Sequence, residues 1–213
     1  MSETKQAIPA HLATRRVNEV IEDLRDLCVQ IEPAGSLRRG RDMVNDVEIV
    51  ALPKRRTDLL ARLDRWVLLG EISKAFYGGA AGKQSNRWGD KYRGFEYRGV
   101  RIEIFLADAD NWGYIYWLRT GTGQANQFVM QQLLARKAPY GPLEGYWYWY
   151  PGRRKISVPD ELELFRLLGI MHVIPPGARR EEAYRTLMTG NWATTVTWAG
   201  AEDEMKPVQG RLL

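Results

Sequence analysis

The chain has 213 residues, 45% of them hydrophobic, with 31 Lys and Arg against 26 Asp and Glu and a formal net charge of +5. That length supports one or two domains whose cores need no disulfide, and the lone Cys28 cannot form an internal one, which excludes a disulfide-stapled secreted scaffold and predicts a reducing, intracellular setting. No apolar run reaches roughly 18 residues and the first residues are polar, so neither a membrane span nor a secretory leader is expected; the excess of bases fits a polyanionic partner, nucleic acid first.

Along the chain, Val17, Val20, Ile21, Leu24, Leu27 and Cys28 recur at three- and four-residue spacing, which predicts a helix over 14–28. Pro33 ends it, and the stretch 35–40 (Gly-Ser-Leu-Arg-Arg-Gly) reads as a loop. Residues 46–52 read as a strand stopping at Pro53. A second amphipathic helix is predicted over 58–69, with Thr57 or Asp58 as cap and Gly70 as stop. The Gly-, Ser-, Asn- and Lys-rich stretch 78–90 reads as loop. Tyr92–Tyr97 and Val100–Leu106 are strand-like runs joined at Arg98-Gly99, a hairpin signal. In the second run Ile102, Ile104 and Leu106 face one side, and Arg101, Glu103 and Phe105 the other. The strand at 46–52 and this hairpin are expected in one sheet, with the helices on its back.

The pattern changes around 108–112, where a domain boundary is set. Beyond it, Thr120-Gly121-Thr122-Gly123 opens onto a helix from Gln124. Residues 146–150 alternate Tyr and Trp as a strand does. Ser157-x-x-Asp160 reads as a capping box before a helix over 162–168, with Gly169 as stop. A short helix is predicted over 181–188, ahead of an aromatic and acidic tail that fits no element. No repeat or low-complexity tract is present.

The chemistry concentrates at 35–48. A strand has a side-chain period of two, so Asp46 and Glu48 point to one face. Two neighbouring carboxylates repel unless a cation lies between them, and Val50 and Leu52 continue the face, which argues against a solvated strand edge. Glu103, alternating between Ile102 and Ile104, is the natural third acid. All-oxygen ligands of this kind favour Mg2+ or Mn2+ over zinc. In the preceding loop Gly35 and Gly40 let backbone approach a ligand, Ser36 offers a hydroxyl, and Arg39 offers a planar fork for phosphate.

These residues resemble the palm of the family X DNA polymerases, the polymerase beta group of nucleotidyltransferases. The family's Gly-Ser-x-Arg-Arg-Gly loop and acid-x-acid pair align without insertion on 35–48, and its Arg-Ile-acid-Ile strand on 101–104. Its Thr-Gly-Ser-x-x-x-Asn thumb motif resembles Thr120-Gly121-Thr122 through Asn126, and its Leu-Gly-Ile-x-x-Ile-Pro-Pro ending resembles the close of 159–176. The resemblance covers roughly residues 8–180.

It implies an α+β protein: a nucleotidyltransferase palm at 1–109, a mixed sheet with helices on one face; a small α+β thumb at 110–180; and a C-terminal extension at 181–213. It implies an enzyme, a two-metal DNA polymerase filling short gaps in DNA repair. Asp46, Glu48 and Glu103 would be its catalytic metal ligands. Gly35, Ser36 and Arg39 would serve the triphosphate, Thr120 and Gly121 the sugar, Asn126 the base, and Arg101 would hold or tune Glu103. The expected partners are gapped DNA and a nucleoside triphosphate, with the chain a monomer. The sequence departs from the family in carrying glutamate rather than aspartate at 48 and 103, Leu118-Arg119 where an aromatic pair is usual, and Met130 in place of a template-contacting arginine. The lyase and fingers domains are expected to be absent. Another acceptor (an untemplated DNA or RNA end, a protein or a small molecule) is the alternative, as is a non-catalytic DNA-binding module.

Other features carry plainer readings. Asp108 and Asp110 repeat the acid spacing but fall past the strand, as loop or cap residues. The stretch 78–83 only brushes against a phosphate loop, and Gln84 stands where Ser or Thr is needed. His11 and His172 have no ligand-like neighbours. The aromatics of 146–150 read as packing before base stacking, and Arg153, Arg154 and Lys155 as a DNA-backbone patch or a solvated charge run.

Overall fold

A computed structural model describes residues 7–78 and 84–200. The molecule is α+β, and it divides into two compact units between Ala107 and Asp108.

The first unit runs β1 (Ile8–Pro9), α1 (Ala10–Arg25), β2 (Cys28–Pro33), α2 (Gly35–Arg38), β3 (Met43–Val44), β4 (Val47–Pro53), α3 (Arg56–Leu68), β5 (Ser73–Lys74), β6 (Phe76–Gly78), β7 (Gln84–Asn86), β8 (Tyr92–Tyr97) and β9 (Val100–Leu106). Its main sheet is mixed, in the order β2-β4-β9-β8-β5, with β4 and β9 parallel and the other neighbours antiparallel. Strand alternation sends Val47, Ile49 and Ala51 of β4, Ile102 and Ile104 of β9, and Phe95 of β8 into one core. The same core holds Ala13, Val17, Val20, Ile21 and Leu24 of α1 and Leu59, Leu63 and Trp66 of α3, each set one apolar stripe at helical spacing. The face carrying Glu48, Arg101 and Glu103 is therefore the one turned away from these helices. Arg98 (φ 48°) and Gly99 (φ 79°) both take left-handed backbone in the β8–β9 turn, the conformation a two-residue hairpin needs.

Several boundaries differ from the sequence expectation. The first helix begins at Ala10 behind Pro9 and ends at Arg25. Cys28 instead opens β2, where Ile31 turns inward and Val29 outward; pairing with β4 overrides the local helical spacing. The stretch 35–40 is not a plain loop, since Gly35–Arg38 make one helical turn. Arg55, not Thr57 or Asp58, is the N-cap of α3, and Asp58 lies in its first turn, accepting from Arg55 Nε at 2.7 Å. Gly70 (φ 73°) does stop that helix. In the expected loop 78–90, β7 pairs with β6, while 79–83 of the weak phosphate-loop stretch lie outside the described residues.

The second unit contains α4 (Trp112–Thr120), α5 (Gly123–Ala135), β10 (Tyr140–Leu143), β11 (Tyr146–Trp149), β12 (Arg154–Ile156), α6 (Glu161–Leu167) and α7 (Glu181–Leu187). Its three strands form one antiparallel sheet. Its core is aromatic, with Trp117, Tyr140, Trp147, Phe165 and Tyr184 fully buried. Three of them share polar contacts: Trp117 Nε1 donates to the Tyr184 hydroxyl at 2.8 Å, and Tyr140 OH to the Leu167 carbonyl at 2.7 Å. The fully buried Arg179 guanidinium makes a two-pronged ion pair with Glu161 at 2.5 and 3.0 Å. Helix α4 has no counterpart in the sequence reading. The cap of α6 is Asp160, whose carboxylate accepts from Glu163 N at 2.8 Å, rather than Ser157. The expected extension beyond 180 contributes Tyr184, Met188 and Val196 to this core, and Trp198 bridges to Ile156; residues 201–213 lie outside the described residues.

Candidate functional site

The acids meet through strand register. Glu48 of β4 stands directly opposite Glu103 of β9. Neighbouring strands lie about 4.8 Å apart and both side chains point to one face, so two carboxylates are brought side by side. Glu103 is buried, at 8% exposure, whereas Glu48 and Asp46 are half-buried. Asp46 lies in the bend just before β4 rather than within the strand as expected. On the other flank the residue paired with Glu103 is Gly94 of β8. The sequence reading passed over Gly94, although a glycine inside a strand pattern marks close approach. Arg101, expected to hold Glu103, directs Nε to its cross-strand neighbour Glu96 at 2.7 Å.

The glycine-rich turn packs against Glu48. Ala34 N donates to the Glu48 carbonyl at 2.7 Å, pinning the turn to β4. Gly35 takes left-handed backbone (φ 62°), and a Cβ there would lie 2.3 Å from Glu48 Oε2, so any other residue would strain the turn and displace the carboxylate. Gly40 (φ 73°) ends the turn, with its N–H on the Leu37 carbonyl at 3.0 Å. Burial pulls the Arg39 guanidinium below the usual arginine range, the Glu48 carboxylate pulls it back up, and Arg41 acts weakly downward. Arg39 is thus a partly desolvated cation beside Glu48, which strengthens its hold on any anion.

The residues expected to serve sugar and base belong to the second unit and there form a helix junction. Thr120 ends α4, and the Thr122 side chain caps α5 by accepting from Ala125 N at 3.2 Å. Asn126 Nδ2 donates to the Leu118 carbonyl at 2.8 Å, and a Cβ on Gly121 would lie 2.1 Å from Asn126 Oδ1. The asparagine thereby ties the end of α4 to the start of α5. Arg153, Arg154 and Lys155 do not share one face. Arg153 takes left-handed backbone (φ 46°) before β12, and strand alternation turns Arg154 and Lys155 apart. Arg154 stacks 4.2 Å from the Trp198 ring and Lys155 3.9 Å from the Tyr146 ring.

The set-aside features keep structural roles. Asp108 accepts from Asp110 N at 3.1 Å and from the Tyr146 hydroxyl, and Asp110 accepts from Gly200 N at 3.2 Å. Trp147 fills the core. Among the described residues, no three His, Cys, Asp or Glu side chains are gathered tightly enough to form a ready-made metal centre, and no helix is long and apolar enough to cross a membrane. In comparison with known proteins, no family model matches this chain and no curated protein matches it.

Proposed function

We propose that this chain is a metal-dependent nucleotidyltransferase of the family X DNA polymerase kind, which adds deoxynucleotides to a primer 3′-hydroxyl and fills short gaps in DNA repair. One observation carries the reading. Glu48 and Glu103 oppose each other on adjacent parallel strands, on the sheet face away from the helices, with Gly35 closed against Glu48 and Arg39 beside it. Side-by-side carboxylates, one of them buried, suit a hard divalent cation. Asp46, Glu48 and Glu103 would hold it, and bound Mg2+ or Mn2+ would supply charge neutralisation and a more acidic 3′-hydroxyl.

The chain's own contribution is position and charge. The Ser36 hydroxyl and the Arg39 guanidinium would take β- and γ-phosphate oxygens, and the glycine backbone would let the triphosphate approach. The 3′-oxygen then bonds to the α-phosphorus as the bond to the bridging oxygen breaks, releasing pyrophosphate.

The test is extension of a one-nucleotide gap bearing a 5′-phosphate, with Mg2+ and then Mn2+, beside Asp46→Asn. Incorporation of the complementary nucleotide is expected, falling by at least about 100-fold in the variant, as when a group that stabilises transition-state charge is removed. Wild-type rates in Asp46→Asn would remove the metal assignment.

A second reading, transfer to an untemplated or ribonucleotide-bearing end, is favoured by Asn126, whose amide is engaged on the Leu118 carbonyl. Comparing single strands with gapped duplex, and ribonucleotides with deoxynucleotides, separates the two.

A further inference from the structure

Apart from the acids of the first unit, the second unit contains a cavity of about 370 Å³ whose walls include Arg136, Lys137, Trp149, Gly190, Trp192 and Thr194, with no acidic residue in the lining among the described residues. No motif announces this group, because its members come from the end of α5, from β11 and from the segment after α7. Arg136 caps α5, and its Nη1 donates to the Met188 carbonyl at 2.7 Å, which fixes the guanidinium on the wall while engaging one of its five N–H groups. Lys137 follows in left-handed backbone (φ 52°) and is exposed. Trp149 is held by its neighbours, with ring centroids 5.9 Å from Tyr140 and 6.5 Å from Trp198. Trp192 is half-buried against the same core. Gly190 (φ 87°) keeps the wall opposite Arg136 thin, since a Cβ there would come within 3.3 Å of Arg136 Nη1.

Charge and shape together specify the occupant. Cations at a helix C-terminus answer the helix dipole, but that dipole amounts to only about half a negative charge. Two full positive charges exceed it and leave the cavity attractive to an anion. Two indoles held by packing offer flat faces at little entropic cost. The volume is at the small end of the roughly 300–1,000 Å³ typical of ligand sites, room for one nucleotide unit and not for a duplex. We infer that this cavity takes one nucleotide unit of an unpaired nucleic-acid strand, its base against Trp149 and Trp192 and its phosphate facing Arg136 and Lys137. The site needs neither metal nor turnover, so it stands or falls separately from the function proposed for the acids.

The experiment measures anisotropy of a 3′-fluorescein hexathymidylate carrying a 5′-phosphate, bound to the full chain in EDTA. Lys137→Glu and Trp192→Leu are each expected to weaken binding about tenfold, the size of one lost base–aromatic stack or phosphate contact. Trp192→Phe, which keeps a stacking face, should stay within about threefold. Arg25→Glu, a charge reversal on the first unit, is the control. Equal losses in Lys137→Glu and Arg25→Glu would mean diffuse charge alone and would overturn the site, as would unchanged affinity in Lys137→Glu. If Trp192→Leu fails to fold, the lysine and arginine variants still decide. Thymidine monophosphate should displace the oligonucleotide, at concentrations at least about tenfold higher because it lacks the linked phosphates; no displacement would count against a base-and-phosphate site.

Discussion

Gly35 shows how one residue couples fold and chemistry. Its left-handed backbone starts the turn that carries Ser36 and Arg39, and its missing side chain leaves the space that the Glu48 carboxylate occupies. Gly35→Ala adds both backbone strain and a Cβ clash at 2.3 Å. The expected result is a loss of about 1–3 kcal/mol in urea unfolding, together with loss of the primer extension proposed above; a variant as stable as wild type would show that the turn does not close on Glu48. The glycine was legible in the sequence as part of a phosphate-loop pattern. Its packing against Glu48 was not, because that contact joins residues 13 apart in the chain that only the sheet brings together.

Among elements, the β8–β9 hairpin was readable because everything that defines it is local: alternation along two runs and a turn at Arg98-Gly99. Helix caps were less readable, since several residues near a start can serve. For α6 the sequence offered Ser157, yet Asp160 holds the bond to Glu163 N. Asp160→Ala is therefore expected to lower stability by about 1 kcal/mol, and Ser157→Ala by less than about half of that, as judged by denaturant midpoints. The reverse order would restore Ser157 as the cap. Strand β2 was missed for a different reason. Its six residues carry no strong alternation, and it exists because β4 offers an edge to pair with.

Across the whole molecule, two cores imply two partly independent stabilities. Trp112, Trp117, Trp147, Trp149, Trp192 and Trp198 all lie in the second unit, so tryptophan fluorescence reports mainly on that unit. The same unit buries phenols: burial pushes Tyr114 and Tyr184 up to about 12 and raises Tyr140 as well, while in the first unit burial pushes the Cys28 thiol up to about 11. The unfolded chain releases these protons near pH 8.5–10, so above that range it binds fewer protons than the folded chain. The stabilisation is fully present below about pH 8.5 and is lost as pH rises towards about 12. Denaturation followed by fluorescence should show a midpoint that is level up to about pH 9 and falls from there towards pH 11; a flat profile would mean that these phenols ionise without unfolding.

The sequence alone determined what is covalently local: which residues alternate on a strand, which stripe of a helix is apolar, where glycines permit a turn, and that acids and a basic loop follow one another along the chain. Tertiary structure decided the rest. It set Glu48 opposite Glu103, gave Asn126 to a helix junction, turned Arg154 and Lys155 apart, and drew two indoles and two cations around one cavity. Register and convergence of this kind depend on which long-range packing best offsets the entropy of ordering the chain, a balance struck over whole cores rather than within any local stretch of residues.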